Sequence, residues 1–365
     1  MTTRRWALYA GAALLAAHPR VAAGQTHQVS VAGHTLSLPA GFNIAVFAEN
    51  LRGVRYLTLG PHNVVYASVP RDGNVVRLPD VNGDGVADSA VPYATGLTRP
   101  FGLAWRGDTL LVGDEDALLR IDPDGKRTQL AELPGGGNHV TRTVLLGRDN
   151  RIYVSIGSTC NVCDEPDNRR AAVMLFQPDG THGRLFATGL RNSVGVAFNP
   201  ATGELWGVNN DRDNLGDDVP PEHLNIIKDG KWYGWPKCYL PGKNNPEYPD
   251  AKCDAVEPPA LTFQAHSAPL GLAFYGGSQF PADFKGDAFV TFHGSWNRSV
   301  PTGDKVIRVR IKDGKPVSSE DFVTGWQLPD GTRWGRVVGL LVLPDGSLLI
   351  SDDAGGRIWR VTYAK

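Results

Sequence analysis

The feature that most constrains the fold is a phrase that recurs six times along the chain. Each copy places a glycine or an arginine before an apolar stretch, and a turn and a second, alternating stretch follow. The six anchors of these copies are Arg55, Gly102, Arg142, Gly195, Gly271 and Gly339. A further apolar stretch follows most copies, so each unit is typical of a four-stranded antiparallel sheet. The pattern predicts an all-β chain forming a six-bladed β-propeller, whose radial closure leaves no long free sheet edge. A β-sandwich is the alternative, but it does not explain the recurrence.

Two of the repeats are longer than the others. Successive anchors are 47, 40, 53, 76 and 68 residues apart, so the last two intervals contain extra chain. This chain falls in the fourth and fifth blades, around residues 211–259 and 295–302. Long loops without repeats in a compact fold usually carry function, so both loops are candidates for a site.

The N-terminus has the composition of a signal peptide. Residues 1–24 contain Arg4 and Arg5, a short apolar run at 6–17 and small residues at 21–24. No later run approaches the roughly 18 apolar residues that a spanning helix needs. We therefore expect residues 25–365 to form one domain that is periplasmic or secreted, by either the general or the twin-arginine route. The net charge of -1 favours neither nucleic acid nor anionic lipid as a partner.

The chain has four cysteines, Cys160, Cys163, Cys238 and Cys253. A four-cysteine zinc site usually has two close pairs, and the second spacing is too wide for one. A redox-active Cys-x-x-Cys normally begins a helix in a βαβ unit, which the pattern does not show. Two local disulfides are the favoured interpretation in an exported protein.

The residues three positions before the anchors are expected to look into the axial funnel of the propeller. They are Arg52, Arg99, His139, Asn192, Ala268 and Arg336. Guanidinium groups that converge on an axis repel one another unless an anion lies between them. The ring therefore predicts an anionic ligand, either a polycarboxylate or a phosphate. Its one imidazole, His139, is a candidate general base, the alternative being a histidine hydrogen-bonded within the strand crossing.

Two segments are rich in oxygen donors, which calcium prefers. The first is the fourth-blade loop at residues 209–218, although part of its acidity could cap turns. The second is residues 80–88, where Asp80, Asn82, Asp84 and Asp88 alternate as at the start of an EF-hand loop. Val91 stands where an EF-hand has its closing glutamate, so a second calcium site and a plain hairpin turn are both open.

Six segments, in this order along the repeats, resemble the soluble quinoprotein sugar dehydrogenases. They are GNHVTRTV, SIGSTCNVC, GLRNSVGVAFNP, NNDRDNLGDD, DGKWYGWP and HGSWNR. The similarity covers about residues 35–363 and is strongest to the glucose/sorbosone dehydrogenase branch, which uses pyrroloquinoline quinone (PQQ). It implies a cofactor with three carboxylates lying on top of the propeller, in agreement with the arginine ring. The resemblance also implies that a calcium ion accompanies the cofactor.

The resemblance assigns roles to single residues. The catalytic base falls on His139, a cofactor-contacting asparagine on Asn192 and a cofactor-binding arginine on Arg298. Backbone carbonyls at Asp211 and Arg212 are implied as calcium ligands. Beside these residues, Arg99 and Arg336 are expected to clamp the carboxylates, and Trp296 or Trp232 to stack on the cofactor ring.

Two positions depart from the glucose-oxidising members of that family. Asn138 stands where they have an acidic residue before the histidine, and Tyr275 stands near the position of a lysine. Glucose preference is therefore not carried over. The expected reaction is oxidation of an aldose, a sorbosone-like sugar aldehyde or a related sugar, with a soluble acceptor such as a cytochrome taking the electrons. The alternatives are a calcium-dependent propeller lactonase and a propeller that only binds sugar or protein.

Overall fold

A computed structural model describes residues 26–364. The signal peptide expected at residues 1–24 lies outside them. Within them the chain begins with a hairpin of β1 (Thr26–Val31) and β2 (His34–Pro39), followed by β3 (Phe42–Ala48). The rest of the chain forms six sheets in succession.

Each sheet is one blade, and its strands run from the axis outward. Blade 1 comprises β4 (Leu57–Leu59), β5 (Val65–Val69), β6 (Asn74–Leu78) and β7 (Val91–Ala94). Blade 2 comprises β8 (Leu103–Arg106), β9 (Thr109–Gly113), β10 (Ala117–Ile121) and β11 (Arg127–Glu132). Blade 3 comprises β12 (Arg142–Leu146), β13 (Ile152–Ile156), β14 (Ala172–Phe176) and β15 (Arg184–Thr188).

The fourth and fifth blades contain the longer repeats. Blade 4 comprises β16 (Val196–Phe198), β17 (Leu205–Asn209), β18 (Glu222–Ile227) and β22 (Leu261–Phe263). Between β18 and β22, β19 (Lys231–Trp232) joins β15 of blade 3, and β20 (Cys238–Leu240) pairs with β21 (Lys243–Asn244). Blade 5 comprises β23 (Pro269–Phe274), β24 (Ala288–Phe292), β25 (Lys305–Lys312) and β26 (Lys315–Val323). Single 3₁₀ turns occupy Pro61–Asn63, Pro70–Asp72, Cys253–Ala255 and Ala282–Phe284.

Blade 6 closes the ring with strands from both ends of the described chain. Its strands β27 (Val337–Val342), β28 (Leu348–Asp352) and β29 (Arg357–Tyr363) are followed by β3, which is antiparallel to β29. The predicted six-bladed β-propeller of four-stranded antiparallel blades is therefore confirmed, and the sandwich alternative is wrong. The inserted chain predicted in blades 4 and 5 is present as well, at 210–221, 228–260 and 293–304.

Glycine recurs at the anchors because the innermost strands of neighbouring blades crowd together at the axis. A Cβ on Gly339 would lie 2.2 Å from the carbonyl oxygen of Arg55, and one on Gly271 would lie 2.2 Å from that of Val338. Such distances are impossible without movement of the backbone. Glycine recurs in the repeated sequence because the backbone of the neighbouring blade leaves no room for a side chain at these positions.

The hydrophobic core lies between the blades. Phe47, Leu349 and Ile358 of blade 6 pack against Leu57 and Val65 of blade 1, and all are nearly inaccessible to water. The same arrangement joins the other neighbours around the ring. Because each blade buries both faces against its neighbours, the strands are largely continuous apolar runs. No helix among residues 26–364 has the length and apolar character needed to cross a membrane.

Candidate active site

His139 lies in the segment that leads from blade 2 into the innermost strand of blade 3. Its Nδ1 lies 3.0 Å from the carbonyl oxygen of Ser158 and 2.9 Å from the Oγ of the same residue. The Oγ donates to the carbonyl of Cys160 at 2.7 Å. Since the carbonyl of Ser158 can only accept, Nδ1 of the neutral imidazole carries the proton and Nε2 has the lone pair. This tautomer is the one a general base needs if Nε2 meets the substrate.

The surroundings of His139 keep its imidazole neutral. Burial first, and then the positive charges of Arg191, Arg142 and Arg170, together lower its pKa to about 3, against the hydrogen bond with Ser158. Arg142 is itself fully buried and donates to the carbonyl of His139 at 2.9 Å. The imidazole is therefore a proton acceptor at any pH near neutrality.

Asn192, the predicted partner of the cofactor, lies close to His139. The two side chains flank Gly157, where an added Cβ would lie 2.5 Å from Cβ of His139 and 2.7 Å from Oδ1 of Asn192. A side chain at position 157 would therefore displace one of them. Asn192 is 6% exposed, at the entry to blade 4.

A positively charged pocket opens beside these residues, on the side of blades 6, 1 and 2. It has a volume of about 540 Å³, and the side chains lining it include five arginines and one carboxylate. The charged residues of this axial pocket are Arg52, Arg55, Arg71, Arg99, Arg336 and Asp353. Val140, next to His139, contributes to its wall. The structure thus brings Arg99 and Arg336 together, as the ring positions predicted.

The guanidinium groups of the pocket differ in what holds them. Nε of Arg55 lies 3.3 Å from Asp353, and Nη1 of Arg99 lies 3.3 Å from Glu115. Arg336 donates to the carbonyl oxygen of His293 at 3.0 Å. Arg99 has a φ of 55°, which is uncommon for a residue with a side chain and costs free energy unless its surroundings enforce it.

A second imidazole–carboxylate pair, which the sequence reasoning missed, borders this pocket. Nε2 of His293 lies 3.1 Å from each carboxylate oxygen of Asp353. Burial lowers the pKa of His293 to about 4, although Asp353 opposes the shift. Burial alone would raise the pKa of Asp353, but His293, Arg55 and Arg336 bring it below its usual value. The HGSWNR motif contained this histidine, and only the packing of blade 6 against blade 5 brings it to an aspartate 60 residues later.

The fourth-blade loop at 210–218 is organised by Arg191, which sits 3% exposed beneath it. Its guanidinium donates to the carbonyls of Asn210 at 3.1 Å and Asp211 at 2.6 Å, and pairs with Asp213 at 2.9 Å. Asn161 accepts from the same guanidinium through its backbone and its side-chain oxygens, both at 3.1 Å. Arg191 therefore fixes the carbonyls near which calcium was expected.

A buried carboxyl group supports the same loop from below. Glu222 is 1% exposed and accepts from the backbone N–H of Asp211 at 2.7 Å and of Ala268 at 3.1 Å. Burial raises its pKa to about 8, against these two hydrogen bonds. Asp211 is buried too, and burial raises its pKa above the usual value although His223, 3.7 Å away, opposes this.

Comparison with known proteins places the chain in a family. The family model described as TrAA12-like matches residues 36–246 and 241–364. The chain belongs to this family. A pyrroloquinoline quinone-dependent sugar dehydrogenase of Hypocrea jecorina is 29% identical over 371 residues, 84% of this chain and 80% of that protein. A pyrroloquinoline quinone-dependent pyranose dehydrogenase of Coprinopsis cinerea is 26% identical over 404 residues, which are 89% of this chain and 54% of that relative.

A solved structure agrees with the TrAA12-like fold. The holo form of the PQQ domain of the Coprinopsis cinerea pyranose dehydrogenase has a TM-score of 0.77 to this chain at 22% identity. The match covers 90% of this chain and 97% of that domain. At this level of identity the likeness supports the fold, and the site rests on the residues described above.

In this TrAA12-like chain, two of the predicted cofactor residues lie apart from the pocket. Arg298, in the 293–304 insertion, donates to the backbone carbonyl of Asp217 and lies 3.2 Å from the carboxylate of Asp218, so it joins the two inserted loops. Trp296, in the same insertion, is 73% exposed. Trp232, the other tryptophan expected to stack, packs against the Cys238–Cys253 disulfide and does not line the axial pocket.

Residues 80–88 lie in the connection between β6 and β7. Asp80 accepts from the N–H of Gly85 at 2.9 Å, Asn82 from that of Asp84 at 3.0 Å, and Asp88 from that of Val81 at 2.7 Å. Within residues 26–364, no three carboxylates of this segment gather closely enough to enclose an ion. The oxygens are thus used on the turn itself, and calcium at Asp80, Asn82, Asp84 and Asp88 stays a prediction.

Both predicted disulfides are present, between Cys160 and Cys163 and between Cys238 and Cys253. The sulfurs of the first pair lie near Glu165, the one close group of potential metal ligands found among residues 26–364. Because these sulfurs are bonded to each other, they are not available as thiolates, and the zinc alternative is wrong. The first disulfide loop carries Asn161, the residue that contacts Arg191.

Proposed function

We propose that this chain is a PQQ-dependent sugar dehydrogenase that oxidises an aldose, a sorbosone-like sugar aldehyde or a related sugar. The observation that carries the proposal is a neutral His139, with the proton on Nδ1, immediately before Val140, which lines the arginine-rich axial pocket. An arginine-lined pocket suits a cofactor with several carboxylates, and two relatives are named as PQQ-dependent. A propeller lactonase would place acidic and amide metal ligands at the axis, and here guanidinium groups line it.

The pocket residues fit such a cofactor. Arg99 and Arg336 would bind its carboxylates by charge-assisted hydrogen bonds, and Asn192 would contact it from the opposite wall. Arg298 and Trp296, both in the 293–304 insertion, remain proposed contacts, although neither lines the axial pocket. When bound, the quinone supplies the hydride acceptor.

The chain's own residues would position the sugar and accept its proton. Nε2 of His139 would take the proton of the hydroxyl on the carbon that is oxidised, while Ser158 keeps the imidazole in the required tautomer. Burial, and after it the charges of Arg191, Arg142 and Arg170, lower the pKa of His139 and keep it uncharged before the reaction. A proton on His139 would lie close to these cations, which favours its later release to water.

We also propose a calcium ion, for which the chain would supply only two of the oxygen ligands. Backbone carbonyls of Asp211 and Arg212 would offer two oxygens, and Arg191 already donates to the first. Calcium takes six to eight oxygen ligands, so these carbonyls cannot bind it alone. Oxygens of the cofactor must complete the site, and calcium would there polarise the group being reduced.

The test is reconstitution of the exported protein with PQQ and calcium, followed by dye reduction with aldoses and sugar aldehydes. We expect stoichiometric quinone binding and activity in the wild type. His139→Gln should lower kcat by about 10²–10⁴-fold with the quinone still bound, as for loss of a general base. Unchanged activity in His139→Gln would refute the assigned role. Quinone absorption that never appears would refute the cofactor, and would favour a propeller that only binds sugar or protein. The physiological acceptor we propose is a soluble cytochrome in the periplasm or outside the cell.

A further inference from the structure

The axial pocket is rich in positive charge. Its lining includes five arginines and one carboxylate, Asp353, and Arg99 pairs with Glu115. The three carboxylates of the proposed cofactor would match the remaining positive charge only if all three bound in this pocket. Like charges in a pocket repel one another, so an uncompensated excess is stable only in contact with water or an anion.

Two of the five arginines in the pocket lack a partner of the kind that the other three have. Arg55 and Arg99 have carboxylate partners, and Arg336 donates to a backbone carbonyl. Arg52 and Arg71, in contrast, make no ion pair with any residue in the described range 26–364, and both are exposed. Their Cα atoms belong to neighbouring turns, because a Cβ on Gly53 would lie 3.3 Å from Cβ of Arg71. Two exposed arginines without an ion-pair partner in that range therefore stand on neighbouring turns at this pocket.

Arg52 and Arg71 both lie in blade 1. Arg52 precedes the innermost strand of this blade, and Arg71 lies in the 3₁₀ turn between β5 and β6. Asn192 enters blade 4, which is opposite blade 1 in a six-bladed ring. Val140, adjacent to His139, lines the same pocket as the two arginines. A molecule that reaches from His139 across this pocket would present its far end to Arg52 and Arg71.

We propose that the preferred substrates are acidic sugars, in which a carboxylate or a phosphate remote from the oxidised carbon binds Arg52 and Arg71. This inference rests on the proposed function. Guanidinium groups match both anions with paired hydrogen bonds. In the reaction, the anomeric C–H bond of the cyclic sugar breaks and its electron pair leaves as hydride to the quinone. The O–H proton passes to His139, and the C=O bond of the lactone forms. The sugar is oxidised by two electrons and the quinone is reduced by two.

The experiment compares substrates that differ only at C6. D-glucuronate, D-glucose 6-phosphate and D-glucose are assayed by dye reduction with the PQQ-loaded enzyme, and their binding is measured by calorimetric titration. We expect kcat/KM and affinity at least about tenfold higher for one acidic sugar than for glucose, as for one charged hydrogen-bonded pair. The glucuronate and phosphate arms identify which anion is recognised. High salt should reduce the preference.

The double variant Arg52→Gln/Arg71→Gln should lose this preference, with kcat/KM and affinity falling by more on the acidic sugars than on glucose. Arg77→Gln is the matched control, because Arg77 is an exposed arginine on β6 of the same blade and does not line the pocket. Equal kcat/KM and affinity for all three sugars would overturn the inference while the dehydrogenase function stands. Equal losses on glucose and on the acidic sugars in the double variant would overturn it as well. Absence of dye reduction with every sugar, in protein that binds PQQ, would refute the proposed function itself, and the inference with it.

Discussion

Replacing Arg191 by glutamine removes the guanidinium that holds the fourth-blade loop. The side chain is 3% exposed, its partner Asp213 is 19% exposed, and their closest atoms are 2.9 Å apart. Removing one partner of a buried ion pair costs about 3–5 kcal/mol, because the other charge is left without compensation. Since water reaches Asp213 in part, we expect the lower end, about 3 kcal/mol. The carbonyls of Asn210 and Asp211 also lose their donor.

The expected loss of stability in Arg191→Gln can be expressed as a fall in melting temperature, Tm. An unfolding entropy of about 2.1 cal/mol/K per residue makes about 3 kcal/mol equivalent to a fall in Tm of about 4 °C for a domain of this length. Arg184→Gln is the matched control. Arg184 pairs with Asp229 at 2.6 Å, but the two side chains are 46% and 53% exposed. An exposed pair contributes about 0–1 kcal/mol, so its Tm should fall by no more than about 1 °C.

Differential scanning calorimetry of the three proteins at one scan rate measures both shifts. A difference of about 3 °C between the two variants is expected. Equal Tm values for Arg191→Gln and Arg184→Gln would show that burial does not strengthen the Arg191 pair, and the role of Arg191 as the support of the loop would be refuted.

Three further changes test the packing, the proposed base and a disulfide. In urea unfolding, Gly339→Ala should lower the free energy of unfolding by about 1–3 kcal/mol, because its Cβ would lie 2.2 Å from a carbonyl oxygen of blade 1. Gly276→Ala is the control, since its Cβ would have no atom within 4 Å, and its effect should stay within about 0.5 kcal/mol. Similar costs for the two variants would contradict the crowding of the blades at the axis. Because the pKa of His139 is lowered to about 3, kcat/KM should not fall as the pH decreases from about 7 to about 5, whereas a base near the ordinary value of about 6.5 would lose more than about tenfold. A midpoint near 6.5 would contradict the assignment. Replacing Cys238 and Cys253 by serine removes the disulfide that closes a loop with a separation of 15 residues. The free energy of unfolding should fall by about 3 kcal/mol in the same urea assay. An unchanged midpoint would mean that the 228–260 insertion folds without this disulfide.

The comparison of sequence and structure separates what is local from what is not. The number of blades was predictable because each repeat is a local unit, and its glycine reports the same contact each time. The inserted loops followed from the spacing of the anchors. The disulfides followed from short separations, which need no knowledge of the fold. His139, Arg99 and Arg336 were predictable as a group because ring symmetry relates positions of equal register.

The amino-acid sequence thus determined the architecture and the identity of the residues that approach the axis. Only the tertiary structure decided what each of them does there, because their partners come from other blades. Arg191 donates to carbonyls of the fourth-blade loop above it, and Arg298 donates to a carbonyl of the same loop from the 293–304 insertion. Asp353 meets His293 only when blade 6 packs against blade 5. A guanidinium is free for a ligand when no carboxylate or carbonyl reaches it, and that depends on distances between strands that the sequence separates by up to 300 residues.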